Sequence, residues 1–156
     1  MGVESFTRQI QELTADLTGK PFDDTLAHDL NTRYAPSSKI FQDLVAACRD
    51  GIAEGWLCAR EAGGIRYGRV IKPSPATHGF SVDVVDMNDV VGPHHVHPNG
   101  EIDLVMPIDD AAKFDGAGAG WVVYAPGSAH KPTVTAGRAI VLYLLPGGAI
   151  DFTAAA

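Results

Sequence analysis

The sequence predicts a mainly β protein, an antiparallel sandwich or barrel that follows a helical segment. Apolar residues recur every three or four positions up to Gly55, and beyond it they form short runs bounded by turn residues. Most of the 17 glycines and 10 prolines also lie after residue 50. These observations divide one structural domain of 156 residues into a helical segment, 1–55, and a barrel, 56–156.

Three helices are predicted in the first segment. The first has Ser5 as its expected N-cap, the second begins near Asp24, and the third follows Ser38 and ends at Gly55. The apolar stripe of the first helix comprises Phe6, Ile10, Leu13 and Leu17. Stripes of this kind predict helices that pack one face against a core.

The remaining chain is predicted to form short strands separated by loops rich in glycine and proline. The expected strands are 56–60, 65–72, 80–87, 90–97, 101–108, 121–126, 133–137 and 138–145. The loop DGAGAG, 115–120, is expected to be mobile and close to the mouth of the barrel. Several short strands at this spacing are typical of antiparallel sandwiches and barrels.

The composition sets several classes of protein aside. The net charge is −7 and the chain has no cluster of lysine and arginine, so a nucleic-acid partner is not expected. No apolar run approaches the length of a membrane span, and the N-terminus lacks the pattern of a secretory signal. Cys48 and Cys58 lie in apolar surroundings, which predicts buried free thiols. We therefore expect a cytoplasmic protein, and an exposed sheet edge favours a homodimer.

Four side chains form a candidate metal site. His95 and His97 are two positions apart on a predicted strand, so their rings project from the same face. A tight turn then places Glu101 beside them, and His130 follows a second turn that could bring it opposite. This set predicts one divalent ion (Zn, Fe, Mn, Ni or Co). The alternative is that the histidines lie in surface loops or are hydrogen-bonded core residues.

Three further polar residues are candidates for the lumen of the barrel. Asp103 shares a face with Glu101 and is a candidate catalytic group for proton transfer, or else a solvated carboxylate at a strand end. Tyr67 and Arg69 share a face of their own strand. Arg69 is a candidate anchor for a substrate carboxylate and Tyr67 a catalytic residue that assists it, with a solvated strand face as the alternative. His94 is expected to point away from the metal site.

Two short segments carry a family resemblance. HVHPNGE (95–101) and APGSAH (125–130) resemble the two motifs of cupins, in which these four side chains bind one divalent metal. The resemblance implies a cupin-type antiparallel jelly-roll barrel over about 80–145. The departures concern the turns: the glycine that is usual several residues before the first histidine is absent, Pro107-Ile108 stands where a glycine usually follows the strand of the glutamate, and the second motif lacks its terminal asparagine.

A closer resemblance extends over nearly the whole chain. The helical segment, the stretch GIRYGRVIKPSPATHGFSVDVVDMNDVVGPHHVHPNGEIDLVMP and the stretch GWVVYAPGSAHKPTVTAGRAIVLYLLPGGAIDF are similar to the 4-hydroxylaminobenzoate lyase family of nitroaromatic-degrading bacteria. The resemblance implies a metal-dependent lyase that converts 4-hydroxylaminobenzoate and water to 3,4-dihydroxybenzoate (protocatechuate) and ammonia. Two alternatives remain: a cupin dioxygenase or isomerase acting on another small organic acid, and a non-catalytic cupin that binds a small molecule.

Overall fold

The computed structural model describes residues 2–152 of the chain. Within this range the chain forms three α-helices, one short 3-10 helix (Pro75–Thr77) and nine strands. The helices are α1 (Val3–Leu17), α2 (Asp24–Arg33) and α3 (Lys39–Glu54). The strands are β1 (Arg60–Ala62), β2 (Ile65–Ile71), β3 (Phe80–Val91), β4 (His95–His97), β5 (Glu101–Pro107), β6 (Lys113–Phe114), β7 (Gly120–Tyr124), β8 (Ser128–His130) and β9 (Thr133–Pro146).

The helices occupy the predicted segment, with one correction at the first N-terminus. Ser5 is not the N-cap of α1, because the helix begins at Val3 and the amide of Phe6 already donates to the carbonyl of Gly2 at 3.1 Å. Asp23 and Ser38 cap α2 and α3 by accepting hydrogen bonds from amides three residues later. At the end of α3, the residue after Glu54 is a glycine in the left-handed conformation, as predicted.

The strands pair antiparallel, which confirms the predicted mainly β architecture with its N-terminal helices. A seven-stranded sheet has the order β1-β2-β3-β9-β5-β7, and β6 also pairs with β9. β4 and β8 form a separate two-stranded sheet. The expected division at residue 55 coincides with the end of α3 and stays a prediction, and residues 153–156 of the expected barrel lie outside the described residues.

The predicted strand at 56–60 is wrong, because most of this segment continues the turn at the end of α3. The amides of Trp56 and Leu57 both donate to the carbonyl of Gly51, at 3.0 and 3.1 Å. These bonds satisfy a carbonyl group at the helix terminus and keep the chain out of an extended conformation. Strand pairing therefore starts only at Arg60.

Two further strand boundaries differ from the prediction. The expected strand at 90–97 is divided, because β3 continues to Val91 across a register shift and β4 begins only at His95. The expected strands 133–137 and 138–145 form one strand, β9, because its pairing with β3 resumes on both sides of the same shift. The short strand β8 was not predicted, since three residues after a turn carry little alternation.

Two apolar clusters lie on opposite faces of the main sheet. The larger cluster packs the three helices against one face and includes Ile102 and Leu104. The second cluster lines the inner face and includes Val105. Because side chains alternate along a strand, Glu101 and Asp103 lie on the inner face together with Val105. The sheet thus separates a helix-covered core from an inner space that holds the polar residues.

Cys48 and Cys58 are buried free thiols, as predicted. Burial raises the pKa of each thiol to about 12, so both are protonated near neutral pH. Among the helices of residues 2–152, none combines the length and the apolar character that crossing a bilayer requires.

Candidate metal centre

The two-stranded sheet and the start of β5 bring the four predicted ligands together. His95 and His97 alternate along β4 and project from one face, and His130 of β8 lies opposite His95 in the pairing register. Gly100 has φ +87° and donates its amide to the carbonyl of His97 at 3.2 Å. This tight turn, which favours glycine, returns the chain so that Glu101 begins the next strand beside the two histidines.

Side-chain atoms of the four residues converge on one point. The Nε2 atoms of His95 and His130 are 3.0 Å apart, and Nε2 of His97 is 3.3 Å from Oε2 of Glu101. Glu101 also lies 3.7 Å from Nε2 of His95 and 3.8 Å from Nε2 of His130. Ligand bonds of about 2.1 Å place neighbouring ligand atoms about 3.0 to 3.4 Å apart in octahedral or tetrahedral sites. The spacing fits one ion, and His94 lies outside the group.

Three of the polar atoms at this centre lack partners that would explain their burial. Nε2 of His97 and both carboxylate oxygens of Glu101 are buried without a hydrogen bond within the described residues. Leaving a buried polar atom unpaired costs about 1 to 3 kcal/mol, and more for a charged group. A cation bound by all of these atoms would remove that cost. Three imidazoles and one carboxylate are a donor set that suits a divalent transition metal.

Electrostatics keep the carboxylate of Glu101 ionised. Burial alone would raise its pKa, but the imidazoles of His95 and His97 outweigh burial and lower it to about 2. Asp103 is different, because burial and the charge of Glu101 both raise the pKa of Asp103 well above its usual range. The site therefore pairs one anionic carboxylate with a second that resists ionisation.

The histidines of β4 are oriented through their Nδ1 atoms. Nδ1 of His95 lies 3.3 Å from the carbonyl oxygen of Pro93, and Nδ1 of His97 lies 3.0 Å from Oγ of Ser128. The hydroxyl of Ser128 donates to the carbonyl of Ala125 at 2.6 Å, so its oxygen is available to accept from His97. With a proton on Nδ1, each ring presents the lone pair of Nε2 to the centre.

Asp115 supports the third histidine, a role that was not predicted from the sequence. Its carboxylate accepts from Nδ1 of His130 at 2.5 Å, from the Tyr124 hydroxyl at 2.5 Å and from the Thr133 amide at 2.9 Å. These hydrogen bonds outweigh partial burial and hold the pKa of Asp115 below its usual range. The only signal in the sequence was an acidic residue before a glycine-rich loop, a pattern common in turns.

Asp103 lies in the inner space of the barrel and is fully buried. Both of its carboxylate oxygens lack a hydrogen-bond partner within residues 2–152. It faces Tyr143 across the β5–β9 pairing, and burial raises the pKa of Tyr143 well above its usual range. The alternative of a solvated carboxylate at a strand end is therefore wrong, because the surrounding strands enclose Asp103 completely.

A cavity of about 730 Å³ opens beside the centre, and His95 forms part of its wall. Apolar and aromatic residues dominate the rest of the lining. They include Ala59, Ala62, Ile65, Tyr67, Val85, Met87, Pro93, Pro132, Tyr143, Ile150 and Phe152. Three cations, Arg60, Arg69 and Lys72, and one anion, Asp83, also line it. The space beside the candidate metal centre is therefore an open cavity with a mainly apolar lining.

Arg69 projects into this cavity in a fixed orientation. Its Nε and Nη2 donate to the two carboxylate oxygens of Asp83 at 2.7 and 3.1 Å, and Nη2 also donates to the carbonyl of Gly148 at 3.1 Å. The hydrogen bonds with Asp83 raise the pKa of Arg69, so the guanidinium stays charged. Tyr67 precedes it by two residues on β2 and lines the same wall, with 36% of its surface exposed. Sequence alternation predicted this shared face but not the pairing with Asp83.

The end of the described chain forms another wall of the cavity. Val96 and Asp151 exchange two backbone hydrogen bonds, of 2.8 and 2.9 Å, so residue 151 is joined to β4 between the two histidines. The ring of Phe152 then lies edge-on to the ring of His95, with centroids 5.3 Å apart. The cavity therefore has an aromatic side chain next to the candidate metal centre.

Comparison with known proteins identifies a family with which the chain shares most of its length. The family model PnbB, 4-hydroxylaminobenzoate lyase, matches residues 8–152. A 4-hydroxylaminobenzoate lyase of Pseudomonas putida is 36% identical over 140 residues, covering 79% of this chain and 80% of that protein. One of Nocardioides sp. (strain LMS-CY) is 34% identical over 132 residues, covering 79% and 78%.

Solved structures are similar over a smaller part of the chain. An RmlC-like cupin protein of Ralstonia eutropha superposes with a TM-score of 0.43 and 16% identity, covering 57% of this chain and 60% of that one. The family model extends from within α1 to Phe152, so its match includes most of the helical segment, the cavity lining and all four converging side chains. The chain belongs to the 4-hydroxylaminobenzoate lyase family.

Proposed function

We propose that the protein is a metal-dependent lyase that converts 4-hydroxylaminobenzoate and water to protocatechuate and ammonia, in the degradation of nitroaromatic compounds. The observation that carries the proposal is the family match over residues 8–152, which spans the cavity wall and the candidate metal centre together. The reaction is balanced without an oxidant or a reductant. The N–O bond breaks and its oxygen leaves as water, while one water molecule adds to the ring carbon next to the nitrogen. A second water molecule hydrolyses the resulting imine, which places the other oxygen on the ring and releases ammonia, so that one water is consumed overall.

The proposed metal ligands are His95, His97, Glu101 and His130, and they hold one divalent ion. Their converging atoms and the unpartnered oxygens of Glu101 support this assignment. When bound, the ion supplies a Lewis acid that polarises the oxygen of the hydroxylamine. The protein's own contribution is to keep Glu101 anionic and the three rings oriented, so that the ligands need no rearrangement.

The cavity suits a small aromatic acid. Tyr67, Tyr143 and Phe152 offer aromatic surface to a benzene ring, and the lining contains more cations than anions. His95 and Arg69 line the same cavity, so one bound aromatic acid is proposed to meet both the metal centre and the guanidinium. Ligand cavities are typically apolar with a few polar groups that fix orientation, which is the composition found here.

Asp103 and Tyr67 are the proposed catalytic residues. The N–O bond can break only if the departing oxygen takes up a proton, and the ring must lose a proton to become aromatic again. Asp103 is fully buried on the inner face beside Glu101, and burial together with the charge of Glu101 raises the pKa of Asp103 well above its usual range, which makes it the candidate proton donor. Tyr67 presents a hydroxyl next to Arg69, where it can donate a hydrogen bond to the bound acid.

Arg69 is the proposed anchor of the substrate carboxylate, and its removal should weaken binding selectively. Arg69→Ala alone would leave Asp83 unpaired in the cavity, where it would repel any acid. The informative variant is therefore Arg69→Ala combined with Asp83→Asn. Losing a charged hydrogen bond of about 1.5 to 3 kcal/mol should raise KM for 4-hydroxylaminobenzoate about 10- to 100-fold. For N-phenylhydroxylamine, which lacks the carboxylate, KM should change little.

Lys72→Met provides the matched control, because Lys72 lines the same cavity without the paired geometry of Arg69. It tests whether the loss of any cation from the cavity lining raises KM for the acid as much as the loss of Arg69 does. Steady-state kinetics with both substrates give the comparison. If the Arg69 variant raised KM equally for the acid and for the uncharged analogue, the assignment of Arg69 as the anchor would be wrong.

The proposed reaction is tested directly by product analysis. Metal-replete protein is incubated with 4-hydroxylaminobenzoate, and protocatechuate is measured by chromatography alongside ammonia. The expected result is one ammonia for each protocatechuate, with no oxygen consumed. Oxygen uptake in proportion to product would instead identify the cupin dioxygenase, and binding of the acid without turnover would identify a non-catalytic binding protein.

We also propose that the enzyme works in the cytoplasm as a homodimer. Buried thiols such as Cys48 and Cys58 are compatible with a reducing compartment. The strand β1 lies at one end of the main sheet, where a second copy could add its own edge.

A further inference from the structure

We propose that Asp115 is a positioning residue that fixes His130 in the orientation and tautomer required to bind the metal ion. The inference rests on the proposed metal centre and adds a residue that lies outside the ligand set. Hydrogen bonds hold the carboxylate of Asp115 from two sides. Oδ1 accepts the amide of Thr133, and Oδ2 accepts both Nδ1 of His130 and the hydroxyl of Tyr124.

His130 needs such support more than the other ligands do. The side chains of His95 and His97 are at most 1% exposed, whereas that of His130 is 12% exposed. His130 is also the last residue of β8, a strand of three residues. A ring at the end of a short strand can rotate unless something outside the strand holds it. The hydrogen bond to Asp115 supplies that constraint.

The same hydrogen bond determines which nitrogen faces the centre. A carboxylate accepts and cannot donate, so Nδ1 of His130 carries the proton opposite Asp115. Nε2 then presents its lone pair toward Nε2 of His95, 3.0 Å away, and toward Glu101. With the proton on Nε2 instead, the ring could not bind a cation at this position. The carboxylate also makes the imidazole a more basic ligand.

The backbone of Asp115 also helps to fix its loop. Its φ is +49°, in the left-handed region that aspartate adopts more readily than most residues with a side chain. Its amide donates to the carbonyl of Thr133 at 2.8 Å, so backbone and side chain both join the loop to the start of β9. The loop between β6 and β7 therefore carries the carboxylate to His130 in a defined position.

The test compares Asp115→Asn with Tyr124→Phe. Asn keeps the size of the side chain but replaces one carboxylate oxygen by an amide that donates. Tyr124→Phe removes the other hydrogen bond to the same oxygen and leaves the His130 contact in place. The Kd for zinc is measured by competition with a chromophoric chelator, without substrate. Asp115→Asn should weaken zinc binding about 10- to 100-fold, and Tyr124→Phe by less than about threefold.

Nitrogen NMR of the metal-free wild-type protein gives a readout that does not depend on how the variant folds. In its neutral form, the His130 ring should carry the proton on Nδ1, whereas in Asp115→Asn the neutral ring should be a mixture of the two tautomers. A wild-type His130 protonated mainly on Nε2 would overturn the inference, as would a Kd for Asp115→Asn within twofold of wild type. Wild-type protein that binds no zinc would overturn both this inference and the proposed centre. If zinc binding and the His130 tautomer were as expected but the wild-type protein did not convert 4-hydroxylaminobenzoate, only the proposed function would be contradicted.

Discussion

Replacing His97 with alanine should strip most of the metal from the purified protein. His97 is fully buried, and its Nε2 is one of the converging atoms that lack a hydrogen-bond partner in residues 2–152. Alanine removes one of the four ligands. It also removes one of the imidazoles that stabilise the buried negative charge of Glu101. Since changes to residues behind a ligand already cost about 10- to 100-fold in metal affinity, loss of the ligand itself should cost more than about 100-fold.

The measurement is elemental analysis of protein purified without added metal, with His94→Gln as the matched control. His94 is adjacent in sequence to His95 but lies outside the converging group, so its replacement should leave the metal content unchanged. Wild-type protein should contain about one ion per chain. An unchanged metal content in His97→Ala would show that the metal binds elsewhere. An equal loss of metal in His97→Ala and His94→Gln would show that the loss is not specific to the proposed ligand.

The sequence predicted those parts of the site that depend on local periodicity. Strand alternation placed His95 and His97 on one face, and the turn at Gly100 brought Glu101 beside them. The same alternation placed Asp103 on the inner face. His130 was identified through motif spacing, and the structure adds its register opposite His95.

The features that the sequence did not predict depend on contacts between distant segments. Asp115 is the first residue of the loop that was expected to be mobile. It lies 15 positions before His130 and accepts a hydrogen bond from it. Asp83 pairs with Arg69 across neighbouring strands, 14 positions away. The bridge from Asp151 to Val96 places the end of the described chain against β4. Such contacts follow from strand order and register, which alternation along one strand does not determine.

The N-terminal boundary errors have a similar origin. Ser5 is a good capping residue by type, but α1 already begins at Val3. The segment 56–60 is apolar enough for a strand, yet its first amides complete the end of α3 by bonding to Gly51. In both places the backbone hydrogen bonds of the helix ends outweigh the preference of individual residues.

The second large effect concerns turnover, which should require the metal but not oxygen. The conversion of 4-hydroxylaminobenzoate and water to protocatechuate and ammonia is redox-neutral, so removing oxygen should leave the rate unchanged. Removing the metal should abolish turnover, because the four ligands would hold the only Lewis acid that the proposed reaction uses. His130→Ala should lose at least about 100-fold in kcat/KM if its ligand position is essential, a loss of the size seen for a single strong electrostatic contact to a transition state.

The most direct test of the account is an oxygen-free titration of the metal-free protein with a divalent ion, followed by the rate of protocatechuate and ammonia formation. The rate should rise in proportion to bound metal and level off at one ion per chain, with one ammonia for each protocatechuate. His130→Ala should stay close to the background rate over the same titration. Turnover by the metal-free protein, or no turnover until oxygen is admitted, would contradict the account.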